Sequence, residues 1–206
     1  MMLEPDQPTR LLIRLSAVIA AGSEGEIRNA VQECDGTTDP VKTEEVILQS
    51  HLFCGFPRAL NAAREWRRIS NRPAPGVDED AAAVEEWRSR GEETCARVYG
   101  DAYARLRANV RLLHPALDEW MVEEGYGRVL SRPALDLKTR ELCIIASCAA
   151  GRQERQLHSH LHGALNAGAS EQEVDGAIEC ISGLLDASWL ARSRALWAKV
   201  KYSRRQ

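Results

Sequence analysis

The sequence predicts an all-helical protein, and three observations carry that expectation. Apolar residues recur at three- and four-residue spacing through most of the chain. Only 5% of the 206 residues are aromatic, whereas Ala, Leu, Glu and Arg, all good helix formers, abound. Helix-start signals are frequent and β-rich runs nearly absent, so helix should exceed about 60% of the chain with no sheet.

Taken in order, residues 1–8 are a polar lead-in, and positions 11, 12, 15, 18 and 19 then mark one apolar face of a helix to Ala21. Gly22 and Ser23 break it, and a second helix should run from Glu24 to Cys34. Asp35 to Asp39 forms a turn, and Asp39-Pro40 starts a long third helix toward Ile69, with a kink or break allowed at Gly55-Phe56-Pro57. Residues 71–81 (NRPAPGVDEDA), rich in Pro and acid, read as a linker. From Ala82 come two or three helices, closing in a turn at Gly125-Tyr126-Gly127. The segment 137–150 is apolar on nearly every face, as a buried helix is, and it carries Glu141 inward at its entry. After Gly151 another helix holds His158, His160 and His162 and closes at Gly168. Ser170 to Glu173 forms a capping box that opens the next helix.

A net charge of −3 offers no basic excess for nucleic acid. No apolar run approaches the ~20 residues of a membrane span. The N-terminal run LLIRLSAVIAAG follows acidic residues and is interrupted by Arg14, against a signal peptide. Six cysteines form no CxxC and no zinc spacing, and most sit in apolar helical runs as small hydrophobes. A reducing, cytoplasmic setting is expected.

The stretch from Thr139 to Gly168 resembles the carboxymuconolactone decarboxylase family and its alkylhydroperoxidase-D relatives. Relatives with peroxidase activity carry a Glu, then a CxxC, then a His. Glu141 and His160 match that Glu and His at the required spacing, whereas Gln153 and Gln156 occupy the cysteine positions. Val98-Tyr99-Gly100-Asp101 and Gly127 to Pro133 also resemble the family, so the likeness is continuous from about 97 to 181. It is weaker from 9 to 66, where Thr9-Arg10-Leu11 matches Thr139-Arg140-Glu141 and Glu45-Val46 matches Glu173-Val174, at offsets of 130 and 128. A tandem duplication is expected: a degenerate repeat over 1–70, the linker over 71–81 and a C-terminal domain over 82–206, with two family cores packed as an internal pseudo-dimer of the alkylhydroperoxidase-D-like fold. The first repeat lacks the Glu and His but keeps Cys54-Gly55-Phe56-Pro57, similar to a family signature that the second has lost.

The candidate catalytic residues are Glu141 and His160, because a buried carboxylate needs a partner and a histidine on the next helix supplies one that exchanges protons near neutral pH. The complementary losses suggest a composite pocket, with His51, Phe53 and Phe56 on one side and Arg140, Glu141 and His160 on the other. Arg132 and Arg140 are candidates for holding a substrate carboxylate, with Arg152 and Arg155 nearby. His158 and His162 have zinc-like i, i+4 spacing but no evident third ligand, and His160 points elsewhere, so no metal and no cofactor are expected. Cys54, beside His51, reads as packing. The resemblance implies a cofactor-independent enzyme acting on a small carboxylated lactone or carbonyl acid by His/Glu proton transfer, assembled as a trimer or dimer. The alternatives are a peroxidase-type antioxidant protein without the CxxC, and a non-catalytic family member.

Overall fold

The computed structural model describes residues 4–76 and 84–205, so Val77 to Ala81 of the expected linker lie outside the described residues. Helix takes 81% of the described residues, and no strand occurs among them. The chain divides into two compact units, one made of residues 1–72 with 134–206, the other of 73–133. The expected boundary at 82 therefore does not coincide with a unit: the first 72 residues share a core with the last 73 rather than forming one of their own.

In the first unit, α1 (Gln7–Ala21) lies against α9 (Leu137–Ala150). Every residue of α9 from Thr139 to Ala149 is buried, as its all-round apolar sequence predicts. Leu12, Leu15 and Ile19 bring the apolar stripe of α1 into the same core. The two helices are also joined by Ser16, whose hydroxyl donates to the Cys143 carbonyl at 2.8 Å. Both begin alike: Asp6 accepts from the Thr9 amide at 2.9 Å, and Asp136 accepts from the Thr139 amide at 3.0 Å.

Around this pair stand α2 (Glu24–Cys34), α3 (Pro40–Gln49), α4 (His51–Cys54) and α5 (Phe56–Ser70) from the first half. The second half adds α10 (Glu154–Asn166), α11 (Glu171–Cys180) and α12 (Ala187–Ser203). The expected helix from 40 to 69 is three pieces, because Ser50 ends one and Gly55, at φ 83°, ends the next in a backbone region that favours glycine. Capping boxes start α2 at Ser23 and α11 at Ser170. Helix α12, capped by Asp186, was not foreseen.

The second unit contains α6 (Val84–Tyr99), a short 3₁₀ turn at Gly100–Ala102, α7 (Tyr103–Leu113), α8 (Pro115–Trp120) and a π-helical segment at Met121–Leu130. The expected turn at 125–127 is thus helical. The reason is a close backbone approach: a Cβ on Gly127 would stand 2.0 Å from the Trp87 carbonyl oxygen, and one on Gly91 2.0 Å from that of Val122. These glycines serve helix contact, not chain reversal. The α7–α8 hairpin is pinned by Asp118, wholly buried and bound by Arg107 and Arg111.

Candidate functional site

The Gly151–Gln153 turn between α9 and α10 sends the two helices past one another, with Arg152 at φ 55° completing the reversal. Glu141 on α9 and His160 on α10 then meet inside the first unit. His160 Nδ1 lies 2.8 Å from Glu141 Oε2, with side chains 3% and 0% exposed. An ionised carboxylate only accepts, so in this pairing Nδ1 donates. Glu141 Oε1 is buried with no hydrogen-bond partner among the described residues.

The first half of the chain contributes directly. The Phe53 ring on α4 meets the His160 ring edge-on, with centroids 5.5 Å apart and planes at 85°. The Gln153 amide donates to the Phe53 carbonyl at 2.7 Å. Phe53 is therefore brought to the Glu–His pair within one chain. His51 and Phe56 form a neighbouring stack, centroids 4.8 Å apart, and His51 Nδ1 donates to the Leu48 carbonyl at 2.7 Å. Phe56 is 65% exposed, because Gly55 turns the chain outward at the start of α5.

The arginines divide differently from the expectation of a carboxylate clamp. Arg140 is wholly buried and faces α3: its guanidinium donates to Glu45 at 2.7 Å, Gln49 at 3.1 Å and the Leu135 carbonyl at 3.0 Å. These contacts hold α3 to α9 and leave Arg140 no exposed surface for a substrate. Glu45, a carboxylate amid the apolar residues of α3, signals that it needs a buried partner but not which one. Arg132 belongs to the second unit, half-buried just beyond the π-helical segment. Arg152 is solvent-facing and paired with Asp186.

His158 and His162 meet each other on a half-buried face, with ring centroids 5.1 Å apart. Burial, His158 and Arg204 together pull His162 below the ordinary histidine range. Among the described residues, no three His, Cys, Asp or Glu side chains gather so as to hold a metal ion. None of the six cysteines is in a disulfide. Burial pushes Cys54 up, and the bond its thiol donates to the Ser50 carbonyl and the charge of Arg58 offset this only in part. Burial, then Glu141 and Cys54, push Cys148 up strongly. Neither thiol is set up as a thiolate. Sequence reasoning read Gln153 only as a missing cysteine, and its bond to Phe53 had no signal short of the fold.

A model of the carboxymuconolactone decarboxylase family matches residues 115–184, a stretch that includes both Glu141 and His160. Peroxisomal protein 2 of Schizosaccharomyces pombe is similar over 179 residues at 29% identity, covering 83% of this chain and 83% of that protein. Among the described residues, no helix is long and apolar enough to cross a membrane.

Proposed function

We propose that this chain is a carboxymuconolactone decarboxylase-like enzyme that removes CO₂ from a small carboxylated lactone or carbonyl acid without a cofactor. The observation that carries the reading is the buried Glu141–His160 bond in a segment matching that family. In the step, the bond between the substrate carbon and its carboxylate breaks, CO₂ leaves, and the electron pair stays on the carbon. His160, protonated on both nitrogens, gives its Nε2 proton to that carbon and regains one from water. Glu141 holds the ring through Nδ1 and stabilises its positive charge, while Phe53 packs on the imidazole and keeps water from it. The raised thiols of Cys54 and Cys148 favour this over a peroxidase.

The experiment is incubation with a panel of small carboxylated lactones and carbonyl acids in D₂O. CO₂ release with one deuterium on the vacated carbon is expected, and His160→Gln should slow it by about 10²–10⁴-fold, the usual worth of a positioned acid. No release from any member of the panel would end the decarboxylase reading; unchanged release in His160→Gln would remove His160 from it.

The duplication is proposed on the same footing. It is supported by the matching Asp caps of α1 and α9 and by a second likeness: Trp66 donates to Glu44 at 2.9 Å and Trp197 to Asp175 at 2.6 Å, each pair 22 residues apart. A homo-oligomer, a trimer or dimer, is proposed from the exposed apolar side chains Val41, Leu48, Phe56 and Leu60. Light scattering decides it. Free cysteines favour a reducing compartment; the relative's name says peroxisomal of that protein, and imaging of the tagged chain separates cytoplasm from peroxisome.

A further inference from the structure

The side chain of Gln153 has no role in the turn it occupies. It stands at the N-cap of α10 yet makes no side-chain cap bond. Its backbone does the turn's work, the amide donating to the Cys148 carbonyl at 2.9 Å and the carbonyl accepting from Leu157 at 2.8 Å. The side-chain amide reaches instead across 100 residues of sequence to the Phe53 carbonyl.

Helix α4 has need of such a hold. It is four residues long, has no side-chain N-cap bond, and stops at Gly55. So short a helix has little stability of its own. The carbonyl of Phe53 lies in its last turn, where carbonyls lack partners within the helix. The Gln153 amide supplies one for Phe53, and the ring of that same residue rests edge-on against His160.

We infer that Gln153 is a positioning residue, whose amide donor fixes Phe53 over the His160 imidazole and so keeps the Glu141–His160 pair aligned and dry. Glutamine at this position is then more than a lost cysteine: it provides a donor at the length needed to tie α4 to the α9–α10 turn. The inference rests on the Glu141–His160 pair being the reacting pair, and its test reads the pair without substrate.

The chemistry makes a discriminating set of variants. Glutamate is nearly the same shape as glutamine but, ionised, can only accept, so Gln153→Glu faces the Phe53 carbonyl with the wrong group. Gln153→Met keeps the bulk and removes the donor, and Gln153→Lys restores a donor. In full-length labelled protein, the ring contact between Phe53 and His160 is read from proton–proton cross-relaxation. The His160 Nδ1 proton is read from its exchange with solvent. Gln153→Glu and Gln153→Met should both lose the ring contact and speed that exchange by about tenfold, the factor matching one ordinary hydrogen bond. Gln153→Lys should bring both readouts back. If both persist unchanged in Gln153→Glu and Gln153→Met, whatever happens to the melting temperature, Gln153 is a turn residue only and the inference fails. That failure is separable from failure of the decarboxylase reading, which would leave the native protein without turnover while the ring readouts still responded to Gln153.

Discussion

Arg140 and Glu141 are neighbours in sequence, and the helix sends them to different tasks. Glu141 turns toward α10 and His160, whereas Arg140 turns toward α3 and enters an ion pair with Glu45, at 0% and 5% side-chain exposure. A charge pair so deeply enclosed contributes little beyond what apolar side chains would, yet breaking it leaves one charge stranded. Arg140→Met should therefore cost about 3–5 kcal/mol in urea unfolding, and adding Glu45→Met should recover most of the loss. A double variant no more stable than the single one would show that the pair is not the source of the effect. The residue scale is also where sequence reading was most uneven. The meeting of Glu141 and His160 was legible through the family resemblance, whose spacing these two residues match. Phe53 was legible as a candidate because two halves had lost complementary parts. The partners of Arg140 were not, since Glu45 lies 95 residues away and no local period connects them.

At the scale of elements, the starts with a clear cap signal were readable, whereas those of α7, α8 and α12 were not. Asp and Ser caps announce themselves through short-range chemistry, and the starts at Asp39 and Ser170 fall where the sequence places them. Gly127 misled, because a glycine required for close helix contact looks in sequence like one required for a turn. Gly127→Ala would set its new methyl against the Trp87 carbonyl, so the second unit should lose about 1–3 kcal/mol or more by overpacking. Loss of helicity at lower temperature in this variant would show it, and an unchanged melt would mean that the two segments separate without cost.

The joint between α9 and α11 has a pH signature. Burial acts to raise Asp136, but the bonds from Thr139 outweigh it; burial likewise acts on Glu173, outweighed by Lys138 and Ser170. Both carboxyls are thus held below their unfolded values of about 4. Their contribution is complete above that pH and is lost as pH falls through the lower folded values. Stability should decline below about pH 4, and Asp136→Asn should flatten the decline in acid unfolding curves.

At the scale of the molecule, the question is whether the two halves of the first unit fold together. The sequence, read for repeats, separates them at a Pro-rich linker, because composition and periodicity register a repeat without registering what it packs against. The structure joins them through the α1–α9 core and through long-range bonds that include Ser16 to Cys143, Arg140 to Glu45 and Gln49, and Gln153 to Phe53. A core shared in this way cannot be exposed in one half and kept in the other, so unfolding of residues 1–72 and 134–206 should be one transition. Two buried tryptophans offer a reporter in each half, Trp66 on α5 and Trp197 on α12. In variants that keep one of these two and replace the other four tryptophans by Phe, urea midpoints read by fluorescence should coincide. Arg140→Met should then move both midpoints together, although the substitution lies in the second half alone. Distinct midpoints, or a shift confined to Trp197, would mean that each half has a core of its own, and the boundary drawn from the sequence would stand after all.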